Sequence, residues 1–222
     1  MTSQRYELPL FPLTTVLFPG MMLPLHIFEE RYKEMIQRCL NNDEDFGVIL
    51  LKAGRAEGPL GDIYDVGTVA HITQIKPLEG GRMNIISLGH KRFRLISMHH
   101  ANPYLTGIVE DFPLTNVDLD RTYRLSKRVI DKLTTYLRAF KEVGRLNINL
   151  QQFPTDPETL AYLTAILLPV ENKEKQELLA TEEADQMLAT ELKILKHEVS
   201  IMSILIDERP VQQSEISPFS LN

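Results

Sequence analysis

The sequence lacks the residues and motifs that many enzyme classes require. Its 222 residues contain one cysteine, Cys39, which excludes an internal disulfide and a cysteine-based zinc cage. No Gly-Lys dipeptide occurs, so a phosphate-binding P-loop is excluded. There is also no Gly-x-Gly-x-x-Gly turn, His-Glu-x-x-His helix or Gly-x-Ser-x-Gly elbow. We therefore expect no catalytic residue, no metal ion and no cofactor.

Excess positive charge and long hydrophobic runs are also missing. Lys and Arg number 24 against 30 Asp and Glu, for a net charge of −6, which argues against a dedicated nucleic-acid binder. No uncharged run is long enough to span a bilayer, and no secretion signal opens the chain. Because 43% of the residues are hydrophobic, the chain can bury a substantial core. We expect a soluble cytoplasmic protein that makes no membrane contact.

Four prolines, at positions 9, 12, 19 and 24, interrupt the apolar stretch of residues 8–32. Proline has no N–H to donate to a neighbouring strand, so this stretch cannot form one long central strand. It is also too apolar to be a solvated linker. We expect short, kinked, edge-like strands that wrap around a core, followed by a helix that begins near Glu29.

Short strands and turn signals alternate over the rest of a β-rich domain at residues 6–115. After a helix at residues 29–40, apolar runs and alternation predict five strands, and the sequence Glu-Gly-Gly-Arg at 79–82 predicts a tight turn. Gly89 separates two of these strands and is typical of a bulge or sharp bend. The predicted strands cover residues 46–51, 64–75, 83–88, 91–98 and 104–111. Such short, closely spaced strands favour a small mixed β-barrel.

The hydrophobic period becomes helical after this domain, so we expect an α+β protein with a helical domain at 118–206 and a polar tail at 207–222. Asp156 and Pro157 are typical of a capped helix start. Apolar residues with four-three spacing form a seam on the last helix. They are Leu188, Leu192, Leu195, Val199, Met202 and Ile206. This seam predicts either the core of a helical bundle or an exposed surface for a homodimer or partner helix.

Two sets of residues are candidates for binding. Phe18, Met21 and Met22 could form an apolar patch for other proteins, because an unbranched thioether adapts to varied partners, or they could close the core. The basic candidates lie on a predicted strand and on the first long helix of the second domain. They are Lys91, Arg92, Arg94, Arg121, Arg124, Arg128 and Lys132. These could follow an RNA backbone or be ordinary solvated charges, and the net negative charge favours the second interpretation.

Several motifs occur in the order found in the N-terminal, substrate-binding domain of Lon-type ATP-dependent proteases, which the chain resembles over residues 6–206. The similar segments are Leu-Pro-Leu-Phe-Pro-Leu at 8–13, Leu-Phe-Pro-Gly-Met-Met-Leu-Pro-Leu at 17–25, Tyr-Asp-Val-Gly-Thr-Val-Ala-His-Ile at 64–72 and Ile-Ile-Ser-Leu-Gly-His-Lys-Arg-Phe-Arg-Leu at 85–95. The resemblance implies a PUA-like β-barrel followed by a helical bundle, and the recognition of protein substrates. The ATPase and Ser-Lys peptidase segments of full Lon proteases have no counterpart here.

These observations lead to one expected function and one alternative. We expect a non-catalytic module that binds unfolded or apolar polypeptide segments, either as a chaperone-like factor or as an adaptor for a separate ATP-dependent protease. The alternative is RNA binding by a PUA-like barrel, which requires the strand and helix basic residues to join into one patch.

Overall fold

The structure, a computed structural model, describes residues 4–52, 62–142 and 153–207. The first part of the described chain contains six strands, with one helix after the second strand and a 3-10 turn after the fourth. Four helices follow. The elements are β1 Arg5–Leu13, β2 Met22–Ile27, α1 Glu30–Asn42, β3 Phe46–Leu51, β4 Ile63–Pro77, the turn Glu79–Gly81, β5 Met83–His99, β6 Leu105–Asp111, α2 Leu119–Glu142, α3 Pro157–Leu167, α4 Asn172–Leu179 and α5 Ala184–Asp207. The expected α+β class is therefore confirmed.

Five of the strands form a closed ring in the order β5, β4, β3, β1 and β6, because β6 pairs back onto β5. The β1–β3 pair is parallel and the other pairs are antiparallel, so the barrel is mixed as expected. The sixth strand, β2, lies outside the ring and pairs with the first half of β5, while β6 pairs with its second half. A closed ring leaves few exposed strand edges, and β2 carries the principal one among the described strands.

The prediction that the proline-rich opening forms edge-like strands is wrong for β1, which lies between β3 and β6. The two pairings are staggered along the strand. Residues 5–10 pair with β6, whereas residues 10–13 pair with β3, so Pro9 and Pro12 each have one neighbouring strand. A missing N–H is tolerated at both positions because one side of the strand is unpaired there. The prediction is confirmed for β2, where Pro24 lies on an edge strand.

The two strands predicted on either side of Gly89 form one strand, β5, that contains the expected bulge. Its register against β4 shifts between Gly89 and Lys91, which pair with Ala70 and Val69. Gly89 also meets the loop after β1 so closely that an added Cβ would collide with the Phe18 carbonyl oxygen. The bulge therefore marks a close backbone approach, which explains a glycine within a strand.

Three apolar clusters hold the fold together. The barrel interior contains Leu10, Ile49 and Phe93, and a second cluster lies between the outside of the sheet and α1. The third joins the helices α2–α5 to residues of the barrel side, including Phe18 and Val66. Because this third cluster contains residues from both halves, the barrel and the helical bundle share one core.

The seam of α5 faces the interior of its own bundle. Leu188, Leu192 and Leu195 are buried, and Met202 is 8% exposed. The prediction of bundle core is therefore confirmed for these residues, and the alternative of a dimer surface built from them is wrong, because their apolar area is already covered. The side chain of Ile206 and the predicted tail beyond residue 207 lie outside the described residues.

Candidate functional site

A tight turn between β1 and β2 fixes the first set of candidate residues. The N–H of Met21 donates to the Phe18 carbonyl at 3.1 Å, with Pro19 and Gly20 between them, and Gly20 has φ of 80°. Proline followed by a glycine with positive φ is the signature of a type II turn. The N–H of Gly20 donates to the carbonyl of Gly89 at 2.8 Å, and the N–H of Gly89 donates to Met21 at 2.9 Å. The turn is thus tied to the bulge of β5 by two backbone hydrogen bonds.

The turn sends its apolar side chains in different directions. Phe18 is fully buried in the cluster shared with the helices, Met21 is half-buried, and Met22 is 68% exposed. Of the two interpretations of Phe18, core closure and contact with a client chain, its burial favours core closure, because the ring has no accessible surface. Met22 remains a candidate contact.

Strand pairing extends the exposed surface beyond Met22. Met22 pairs with Leu88 and Pro24 pairs with Ile86, so these four side chains share the outer face of β2 and β5. Leu88 is 38% exposed and Ile86 is half-buried. We call this group, Met22, Pro24, Ile86 and Leu88, the outer strip. Sequence reasoning missed Ile86 and Leu88. The signal for them is that residues 83–88 carry apolar side chains on both faces of the strand. Such a strand is either buried on both faces or exposes an apolar face to solvent.

The edge of β2 continues the apolar surface beyond the outer strip. Among the described strands β2 pairs with β5 alone, so its other edge is open. Just past its end, Phe28 is 45% exposed and stacks on the His26 ring at 5.9 Å between centroids. These two side chains also line a hollow of about 140 Å³ with residues of β1 and α1, including Leu13 and Tyr32. An extended segment along this edge would meet apolar groups at both ends.

The basic residues near β5 are paired with acids or buried. Lys91 lies 2.7 Å from Asp111, and Arg94 lies 2.8 Å from Glu182. Arg92 is 2% exposed and donates from Nη1 to the carbonyls of Leu179 and Thr181 at 2.6 Å each. The structure therefore corrects the prediction of Arg92 as an RNA contact, and each of its two basic neighbours already has a carboxylate partner.

The basic residues of α2 divide in the same way. Arg121 contacts the buried carboxylate of Asp185 at 3.1 Å, whereas Arg124 and Arg128 are exposed. Arg128 and Lys132 line a hollow of about 270 Å³ between α2 and α5. The other lining residues are Lys127, Asp131, Leu192 and Lys196. This hollow brings together the side chains of four cations and one acid, so it is a basic site.

Two titratable groups of catalytic type are buried in inert surroundings. Burial raises the pKa of the Cys39 thiol to about 11, so the thiolate is scarce at neutral pH. Burial also raises the pKa of Glu191 well above its usual range, and both of its oxygens lack a hydrogen-bond partner among the described residues. In residues 4–52, 62–142 and 153–207, no three His, Cys, Asp or Glu side chains form a group that could bind a metal ion. The helices in these ranges are too short or too polar to cross a membrane.

A protein-family comparison decides the relationship. The model of the "ATP-dependent protease La (LON) substrate-binding domain" matches residues 7–197. The chain belongs to this family. The match covers the barrel and most of the helical bundle, which confirms the resemblance in the motifs around the turn, β4 and β5.

Two curated relatives of this chain are Lon proteases. Lon protease of Escherichia coli strain K12 is 22% identical over 204 residues, which are 91% of this chain and 26% of that protein. Lon protease of Syntrophus aciditrophicus is 28% identical over 210 residues, covering 89% of this chain and 26% of that protein. The chain thus spans about a quarter of the length of the curated relatives it matches.

Two solved structures show the same fold. The Lon N-terminal domain protein from Xanthomonas campestris has a TM-score of 0.60 and 22% identity, over 85% of this chain and 98% of that one. The N-terminal domain of Mycobacterium avium complex Lon protease has a TM-score of 0.65 and 18% identity, over 86% of this chain and 98% of that one. Both are Lon N-terminal domains, in agreement with the barrel and bundle described above.

Proposed function

We propose that this chain is a non-catalytic module that recognises polypeptide substrates, and that it binds their apolar, extended segments on the outer strip and along the edge of β2. The observation that carries the proposal is the exposure of Met22 and Leu88 side by side on an edge strand. The family match supports it, because the family is named for substrate binding.

An open strand edge offers two kinds of contact to an extended chain. Its backbone groups can hydrogen-bond to the added segment, and side chains on alternate positions fill neighbouring hollows. Pro24 removes one donor from this edge, so the apolar side chains of the outer strip carry more of the binding. Methionine adapts its shape to different partners, which suits a surface that accepts many sequences.

A charge substitution tests the outer strip. Met22→Glu combined with Leu88→Glu should weaken binding of a fluorescently labelled, permanently unfolded model protein at least about tenfold, measured by anisotropy, because the apolar contact is replaced by hydrated carboxylates. The matched control is Val117→Glu with Leu119→Glu, which adds the same charge at positions 74% and 71% exposed before and at the start of α2. Equal binding by both double variants would contradict the proposal.

We further propose that the module acts in the cytoplasm, either alone as a holdase or as an adaptor that delivers clients to a separate ATP-dependent protease. Suppression of the aggregation of a heat-denatured model protein by the isolated chain supports the first role. Faster degradation of that protein by a purified ATP-dependent protease when the chain is added supports the second. The Met22 and Leu88 double variant should lose whichever effect is observed, and its control should keep it.

RNA binding is retained as the second candidate because of the basic hollow between α2 and α5. Arg128→Glu with Lys132→Glu should abolish any salt-dependent mobility shift of a single-stranded RNA, since phosphate contacts depend on these cations. Absence of a shift for the unsubstituted chain at low salt removes this candidate.

A further inference from the structure

The outer face of α5, opposite its buried seam, is exposed along most of the helix. Exposed residues recur there at intervals of three and four, which is the spacing of one helix face. They are Thr190, Lys193, His197, Ile201 and Ile204. We call these five residues the α5 ridge, which spans about 20 Å along the helix axis. Ile201 is 39% exposed and Ile204 57%, so one end of the ridge is apolar.

An acidic groove lies on one side of this ridge, between α4 and α5. Its volume is about 590 Å³, and its lining includes the apolar residues Val170, Leu178 and Ile194. Four carboxylates and one lysine also line it, which gives a net charge of −3 when His197 is neutral. The charged residues are Glu171, Glu174, Glu177, Lys193 and Glu198. We call this site the acidic groove.

The carboxylates of the acidic groove are not neutralised from within the described chain, where none of the four forms an ion pair. Glu171 and Glu174 form a capping box at the start of α4, where the helix dipole favours acids. Glu177 lies in the last turn of the same helix, where the dipole disfavours an acid and no basic residue is present. A cation supplied from outside the chain would therefore stabilise this side of the groove.

The basic hollow between α2 and α5 lies on the other side of the same helix. Leu192 and Lys196 of α5 line the hollow, whereas Ile194 and Glu198 line the groove. Residues two positions apart in an α-helix project about 160° apart, so the two sites lie on opposite sides of α5 and at the same level along it. Four cations and one acid give the hollow a net charge of +3. The charges of the two sites are therefore equal and opposite.

This placement meets the requirement of a symmetric pair. A rotation of 180° about an axis parallel to α5 puts the acidic groove of each copy against the basic hollow of the other. The same rotation brings the apolar end of the ridge, Ile201 and Ile204, against its own copy and removes that area from water. It also brings Lys193 near its copy, and the carboxylates that line the groove with this lysine offset the repulsion.

We propose that the α5 ridge, together with the groove and the hollow beside it, is the surface on which two copies of this chain associate as a symmetric dimer. The contact is about 20 Å long and three helices wide, near the low end for specific interfaces, so the association is reversible. It does not involve the outer strip. It uses the cations named above for RNA, so RNA binding at the hollow and this dimer exclude each other.

Sedimentation equilibrium of the unsubstituted chain tests the association directly. At about 20 mM salt, the mass should rise from that of one copy to that of two as the protein concentration increases. At about 1 M salt the dissociation constant should be at least about tenfold larger, because screening weakens the attraction between groove and hollow. The mass of a single copy at every concentration up to about 1 mM in low salt overturns the proposal and leaves the groove to a partner of different sequence.

Charge reversal at either site should prevent association of a variant with itself. Glu174→Lys with Glu177→Lys replaces two carboxylates by two ammonium groups and changes the groove from −3 to +1. Lys127→Glu with Arg128→Glu changes the hollow from +3 to −1 in the same way. Each variant then has like charges at both sites, so its dissociation constant should rise at least about tenfold.

An equimolar mixture of the two variants should associate again as a heterodimer, because one chain is basic at both sites and the other is acidic at both. All four substituted residues are exposed, and circular dichroism checks that each variant is folded. The matched control is Glu34→Lys with Glu79→Lys, at exposed positions on α1 and in the turn after β4, which should change the dissociation constant by less than about twofold. A mixture of folded variants that stays monomeric, or a control that weakens association as much, overturns the proposed surface.

Discussion

The barrel and the helical bundle have cores of opposite character. The barrel interior contains an apolar cluster that includes Leu10, Ile49 and Phe93, and it depends on glycine: an added Cβ at Gly67 would overlap the Val48 carbonyl oxygen and the Phe93 ring. The bundle, in contrast, buries the carboxyl of Glu191 completely and leaves both of its oxygens without partners among the described residues. One core has no spare room, whereas the other contains a group that weakens it.

This difference indicates which half limits stability and which half preserves geometry. A tightly filled barrel holds β2 and β5 in register, and therefore holds the outer strip in place. A bundle with a buried, unpaired acid is less stable than its apolar volume allows. We expect the barrel to resist every enlargement of its interior, and the bundle to gain from the loss of one polar group.

The largest expected effect is in the barrel. Gly67→Ala should lower the free energy of unfolding by about 3 kcal/mol, because the new methyl group would collide with the Val48 carbonyl oxygen, which belongs to the strand backbone and cannot move aside. The matched control is Gly47→Ala, where the contacts are side-chain atoms of Leu8, Leu10 and Phe93 at 2.8–2.9 Å. These can shift, so we expect a loss of about 1–2 kcal/mol. Urea unfolding measures both, and equal losses would contradict the rigid barrel.

A smaller effect of opposite sign is expected in the bundle. Glu191→Leu should raise the free energy of unfolding at pH 7 by about 1–3 kcal/mol, because it removes an unpaired buried carboxyl at similar volume. Glu198→Leu, on the half-buried surface of the same helix, provides the control and should change stability by less than about 0.5 kcal/mol. A destabilised Glu191 variant would show that this carboxyl has a stabilising partner.

The same residue predicts a dependence on pH. The pKa of Glu191 is raised in the folded state, so above the unfolded value of 4.5 the unfolded chain releases a proton that the folded chain retains. The contribution of Glu191 to stability must then fall as pH rises, until the pH reaches the folded pKa, with a slope of at most about 1.4 kcal/mol per pH unit. The difference in unfolding free energy between Glu191→Leu and the unsubstituted chain should therefore grow from pH 5 to pH 7, within about that slope. A constant difference would contradict the shift.

The smallest effect on stability is expected at the outer strip. Met22→Glu should change the free energy of unfolding by less than about 0.5 kcal/mol, because the side chain is largely hydrated already. Thermal unfolding measures this directly. A loss above about 1 kcal/mol would mean that Met22 helps close the core, and that the strip is structural.

Local patterns in the sequence predicted the elements well where the chain decides its own structure. The apolar run of β3 gave its bounds, and Asp156 caps α3 as expected, accepting from the Thr159 N–H at 2.8 Å. The heptads of α5 indicated its buried face. In each case the signal lies within a few consecutive residues, so no distant partner is needed to interpret it.

The misplaced residues depend on partners far away in sequence. Pro9 and Pro12 fit an internal strand because two neighbours pair with different halves of β1, which no local pattern reveals. Arg92 alternates with the inward Phe93 and was expected to face solvent. The outside of the barrel at that point is covered by α4 and the segment after it, so the side chain is buried. Leu88 joined the candidate site only through its pairing with Met22, 66 positions away along the printed sequence.

The turn at residues 18–21 has a mechanical consequence. One end holds the Phe18 ring in the core shared with the helices, and the other presents Met22 to solvent, while Gly89 clamps the backbone between them. Displacing Met22 would therefore require extracting the Phe18 ring and breaking the two backbone hydrogen bonds to Gly89. The backbone of the outer strip is therefore fixed and only the methionine side chain can adapt, so the proposed binding requires a polypeptide to follow the shape of the strand.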